Sequence, residues 1–177
     1  MNAMFLHTFL AALLAVPCLG SHEATWIPRA ASGAFRSEGY FEGGADSRAT
    51  LARLRVAPHK GFERWVLDFS DTSTAPRFRL EYQPADKWLD DEGKAHFRRP
   101  ARFLLRLRKV DRSRVRPADL RRLAAKSPLV KEVILYPAIE DGDRALEIVL
   151  ESDVLFEPHQ PQPNEARLVL DLKASGG

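Results

Sequence analysis

Apolar and polar residues alternate in short runs along this chain, and the runs recur in the same order twice. Residues 53–84 read RLRVAPHKGFERWVLDFSDTSTAPRFRLEYQP, and after a gap ARFLLRLR fills Ala101 to Arg108. The second copy reads VKEVILYPAIEDGDRALEIVLESDVLFEP from Val130 to Pro158, then ARLVLDLK from Ala166 to Lys173. Each copy is an apolar run, a Pro, a polar turn, a strongly alternating run, a second apolar run ending in Pro, and a run opening with Ala-Arg. Period-two alternation is the mark of strands with one buried face. Trp65, Leu67 and Phe69 share one face, opposite Arg64, Val66 and Asp68. Phe103, Leu105 and Leu107 alternate with Arg102, Arg106 and Arg108; Leu146, Ile148 and Leu150 with Glu147, Val149 and Glu151; Leu168, Leu170 and Leu172 with Arg167, Val169 and Asp171. The apolar members of these four runs predict a single core. Leu51 to Val56, Arg77 to Tyr82, Val130 to Tyr136 and Val154 to Phe156 complete the strands. The expected class is therefore mainly β: a symmetric sandwich of two small β-sheets built from a doubled strand pattern.

One short helix is expected in the connection between the copies. Pro117 suits a first helical position, Asp119 falls in the first turn, and Leu120, Leu123 and Ala124 form an i, i+3, i+4 stripe. Pro128 predicts an end near Ser127. The segment 85–100 reads as a polar excursion turning at Gly93. Glu157 to Glu165, with three Pro, reads as an extended loop.

At 177 residues the chain is long enough for one domain with its own core. The expected boundaries are a signal segment over 1–20, a linker or N-terminal arm over 21–49 with scattered aromatics able to dock, the sandwich over 50–174, and a tail over 175–177. Phe9 to Leu19 is apolar but too short to span a bilayer, and Cys18 and Gly20 are small residues at −3 and −1 of a cut before Ser21. This pattern predicts export, a periplasmic location and no transmembrane segment in the mature chain. Lipid anchoring at Cys18 is the weaker expectation, because Pro17 stands where a lipoprotein signal wants a small residue. Cys18 is the only cysteine, so the mature chain is expected to rely on its core, with neither disulfide nor thiol chemistry.

Charge is distributed unevenly. Residues 97–131 carry thirteen Lys and Arg against Asp111 and Asp119 alone, whereas residues 135–157 carry seven Asp and Glu against Arg144 alone. The basic stretch has three readings: a solvated face whose Arg stems cover apolar surface, a contact for an anionic polymer, or a nucleic-acid contact. Nucleic acid is the poorest fit, given the export signal and the lack of aromatics among the arginines.

The order of these runs resembles an AMIN domain, the module found in periplasmic N-acetylmuramoyl-L-alanine amidases and in secretins of type IV pilus systems. The resemblance spans residues 50–174. It is carried best by ARFLLRLR, SPLVKEVILYP, ALEIVLES, VLFEP and ARLVLDLK in that order. The family's Arg-to-Asp strand is kept at Arg167 to Leu172, while Arg106 stands at the Asp position in the first copy. The resemblance implies a sandwich of two small sheets and a role in peptidoglycan binding or envelope placement without catalysis. The alternative is an accessory or structural subunit of a pilus or secretion assembly, using charged faces for protein contacts.

Candidate chemistry is sparse. The histidines His7, His22, His59, His96 and His159 are scattered and form no zinc-ligand helix, no G-x-S-x-G elbow is present, and the paired carboxylates Asp141/Asp143 and Asp90/Asp91 flank turn glycines. The expectation is a protein that is not an enzyme and uses no metal or cofactor. The candidate ligand-binding residues are those on the mixed faces of the alternating strands and at their basic edge: Arg64, Asp68, Arg102, Arg106, Arg108, Glu147, Glu151, Arg167 and Asp171. Cross-strand ion pairing, contributing about 0.2–1 kcal/mol per pair, is the competing explanation for them.

Overall fold

The computed structural model describes residues 34–176. The expected signal segment and residues 21–33 lie outside them. Twelve strands and one helix follow in chain order: β1 (Tyr40–Gly43), β2 (Thr50–His59), β3 (Phe62–Ser70), β4 (Phe78–Gln83), β5 (Asp86–Leu89), β6 (Ala95–Arg99), β7 (Arg102–Leu107), β8 (Arg112–Ser113), α1 (Pro117–Ala124), β9 (Val130–Leu135), β10 (Arg144–Leu150), β11 (Val154–His159) and β12 (Arg167–Ala174). They build a first sheet in the order β11-β12-β3-β2-β8, a second in the order β1-β4-β7-β10-β9, and the separate hairpin β5-β6. All pairings are antiparallel except β8 with β2.

The sandwich follows from the alternation. Trp65, Leu67, Phe69, Phe103, Leu105, Leu107, Leu146, Ile148, Leu150, Leu168, Leu170 and Leu172 all enter one continuous buried core. An aromatic trio ties the sheets together. Tyr82 of β4 and Phe103 of β7 lie 5.2 and 5.1 Å, ring centre to centre, from Phe156 of β11 in the opposite sheet. Burial, reinforced by the neighbouring Asp153 carboxylate, pushes the Tyr82 hydroxyl up to about 12, so it stays protonated. It donates to Asp153 Oδ1 and accepts from the Val154 N–H.

The doubled pattern is realised by interleaving. The hairpin β2-β3 of the first copy joins β11-β12 of the second, and the hairpin β9-β10 of the second joins β4-β7 of the first. The central junctions therefore pair the copies with each other: Leu67 faces Leu168, and Phe103 faces Ile148. Even the irregularities match. Ala52 is the extra residue in β2 between Leu51 and Arg53, and Lys131 is the extra residue in β9 between Val130 and Glu132. A β-bulge of this kind turns the strand and sharpens its twist, as the flank of a small sandwich requires.

Four features differ from the sequence expectations. The segment read as a linker or arm contributes β1, whose Phe41 packs on Phe78 with ring centres 5.7 Å apart. The polar excursion forms the hairpin β5-β6, turning at Gly93 with φ +78°. The Pro-rich loop begins later than expected, because β11 runs through Pro158 to His159. That position is tolerable because β11 is an edge strand and need not offer a second ladder N–H at the proline. The helix ends at Ala124, three residues early in regular geometry, and Ser127 takes over. Its hydroxyl donates to Glu63 and accepts the Leu129 and Val130 N–H groups, pinning the helix exit to β3. No helix among the described residues is long and apolar enough to cross a membrane.

Candidate functional site: charged outer faces of the two sheets

Because the apolar residues of every alternating run point inwards, their polar neighbours must point outwards. The fold divides the nine candidate residues between two such faces, on opposite sides of the core. Arg64, Asp68, Arg167 and Asp171 lie on the outer face of the first sheet; Arg102, Arg106, Arg108, Glu147 and Glu151 belong to the second.

On the first sheet, register brings Arg64 opposite Asp171 and Arg167 opposite Asp68. Arg64 donates two hydrogen bonds of 2.7 Å to Asp171, whose side chain is only 4% exposed, and His159 Nε2 lies 2.7 Å from the same carboxylate. Burial alone would raise the Asp171 carboxyl, but the bonds from Arg64 and His159 outweigh it and hold the group below its ordinary range. Donor atoms of Glu157, His159 and Asp171 fall within 4.8 Å of one another, close enough for a cation. The Arg64 guanidinium, however, already engages both Asp171 oxygens and brings a positive charge to the spot. Asp68 is held in the same way, with two bonds from Arg55 and one from Arg53, so that the Arg55 bonds, against burial, keep its carboxyl low. Arg167 remains exposed.

On the second sheet, Arg102 donates to Glu147 at 2.9 Å and to Gln83 at 2.8 Å, while the Tyr136 hydroxyl donates to the other Glu147 oxygen at 2.7 Å. Arg102 and Glu147 thus act as structural partners. Glu151 is exposed and makes no side-chain bond among the described residues. Arg106 and Arg108 stand differently. Arg106 lies opposite Arg79 across the β4–β7 pair, and the Arg108 N–H donates to the Arg77 carbonyl at 2.9 Å, one step further along the same ladder. Four exposed arginines thereby form a two-by-two block. Arg79 reaches Glu42 at 3.0 Å and lies over the Tyr40 ring, and Arg108 is 3.8 Å from Asp143. Arg77 and Arg106 make no side-chain hydrogen bond or close ion pair among the described residues, although the Asp46 carboxylate feels the charges of Arg108 and Arg77. Tyr40 and Tyr136, 43% and 40% exposed, stand beyond the two edges of this face.

Sequence reasoning singled out Arg106 and Arg108 but missed Arg77 and Arg79. The alternation in Arg77-Phe78-Arg79 marks both as outward, yet nothing local says that β4 neighbours β7. His159, within the segment that the sequence marks as an extended loop, is instead a strand residue bonded to Asp171. No protein-family model and no curated protein matches this chain.

Proposed function

We propose that this is an exported, non-catalytic module of the cell envelope, similar to an AMIN domain, that binds peptidoglycan through the carboxylates of its peptide stems. The arginine block carries this reading. Like charges facing each other across a strand pair destabilise a sheet, and here two such pairs are adjacent, offset in part by Glu42, Asp143 and Asp46. An anionic ligand turns that repulsion into attraction. A guanidinium meets a carboxylate with two parallel hydrogen bonds, which gives geometric selectivity as well as charge. The rings of Tyr40 and Tyr136 add apolar surface at the edges of the face, suited to a sugar.

The doubled sandwich supports the same reading, since it is the architecture that the resemblance implies. The test is co-sedimentation with purified sacculi. Replacing Arg106 and Arg108 by Ser is expected to cut binding several-fold and leave the thermal midpoint unchanged or slightly raised, because exposed arginines contribute little to stability and their removal relieves the like-charge pairs. Undiminished binding with an intact fold would remove this block as the site.

A further inference from the structure

Strand β2 is only partly covered on its outer side. Its first two positions are paired in parallel by β8, Thr50 with Arg112 and Leu51 with Ser113, and the Arg114 N–H donates to the Leu51 carbonyl at 2.9 Å. The chain then turns away to start α1. From Arg53 to His59, β2 pairs with β3 on one side and, among the described residues, with no strand on the other. An unpaired run of backbone N–H and C=O groups is a template for another strand.

A groove follows this open edge. Its wall is β2, and its floor is the α1 face formed by Asp119, Arg122 and Leu123, with Lys126 in the turn just past the helix. The space there is about 310 Å³. A second hollow of about 610 Å³, which also touches Val56 and Lys126, prolongs it towards Pro58 and Phe62. Five cations surround the groove: Arg53, Arg55, Arg114, Arg122 and Lys126. Asp119 is the one carboxylate lining the first hollow, where Arg116 and Arg122 bond it; Glu63 lines the second, and Arg53 and Arg55 also donate to Asp68 on the neighbouring strand. Arg114 and Lys126 have no side-chain partner among the described residues. Between the cations, Val56, Val115 and Leu123 give the groove a half-buried apolar lining.

We propose that this edge accepts an extended acidic peptide of a partner protein as an added strand in the lane that β8 opens. Successive side chains of a strand point to opposite sides. An added strand would therefore turn every second residue up beside Arg53 and Arg55, and the others down onto Val115 and Leu123. The complementary partner sequence alternates Asp or Glu with small apolar residues over about six positions, which spans about 20 Å at ~3.3 Å per residue. Backbone bonds supply affinity in such strand addition, and the alternate side chains supply selectivity. Pro58, lacking an N–H, marks where pairing stops. A second copy of this chain is a poor occupant, because its own β2 edge carries the same cations. This surface is separate from the arginine block and goes beyond the binding of wall polymer.

The test uses the mature protein and a capped eight-residue peptide alternating Glu and Val, with two controls: the same residues in blocks, and the alternating peptide N-methylated at every second amide. Affinity is read by fluorescence anisotropy, and amide hydrogen exchange reports on residues 53–57. The alternating peptide is expected to bind at least tenfold more tightly than either control and to slow exchange in β2. Arg122→Glu on the exposed helix face with Lys126→Glu in the turn after it should abolish binding with the fold intact by circular dichroism. Arg106→Ser with Arg108→Ser should leave peptide binding unchanged, which separates this site from the wall-binding face. Equal affinity for the blocked or N-methylated peptide, or binding without protection of β2, would overturn strand addition. Peptide-independent dimerisation that protects the same amides would assign the edge to a second copy and equally overturn the proposal.

Discussion

Arg64 illustrates how a candidate binding residue finds a partner within the fold. Its partner Asp171 is buried on a central strand, so its negative charge needs a compensating cation and hydrogen bonds. Arg64 supplies both through two short bonds. The carboxyl is therefore depressed in the folded protein relative to an unfolded value near 4. A depressed acid contributes stability above the unfolded pKa and loses that contribution as the pH falls through the folded one. Arg64→Ala should then cost about 1–3 kcal/mol at neutral pH, the usual penalty for removing a hydrogen-bond partner from a buried group, with His159 left as the carboxylate's one remaining side-chain partner among the described residues. The deficit should shrink at pH 3, below the unfolded value, where the contribution of the depressed carboxyl is already being lost. Urea unfolding of both proteins at the two pH values tests this, and an equal deficit at both would deny the pair its structural role.

Among the elements, the main strands were legible because each carries three or more alternating apolar residues, as in Trp65-Leu67-Phe69 or Leu168-Leu170-Leu172. The short ones were not. In β1 the only large inward residue is Phe41, and β8 has just two residues, so neither makes a period. Their existence depends on partners distant in sequence. Gly44, which follows β1, shows the kind of constraint involved. At φ +80°, a β-carbon there would lie 2.0 Å from the Pro76 carbonyl oxygen, because the chain runs against Pro76 to form an isolated bridge at Ala45. Gly61, in the β2–β3 turn, has similar φ but open space around it. Gly61→Ala should cost about 1 kcal/mol, from backbone strain alone. Gly44→Ala adds a clash with backbone and should cost clearly more. Thermal unfolding of the two variants decides the point, and equal losses would show that β1 yields freely.

Over the whole molecule, the repeat predicted two sheets but not how the copies share them. Alternation fixes which face of a strand is buried, whereas the pairing of Leu67 with Leu168 and Phe103 with Ile148 is settled only when both copies close on one core. That pairing also arranges the charges. It ties Arg64 to Asp171 and Arg102 to Glu147, giving four candidate residues partners within the fold, and it sets Arg106 beside Arg79. The basic character of residues 97–131 was visible in the chain; the block that concentrates it required β4 to lie next to β7. The most direct test of carboxylate recognition by this block is binding to two preparations of sacculi, one native and one with its stem carboxylates converted to amides, as ionic strength is raised. Binding to native sacculi should be clear at 0.1 M salt and fade by 1 M, as the screening length falls from ~10 to ~3 Å, and amidated sacculi should bind little at either. Equal binding to the two preparations would contradict the assignment.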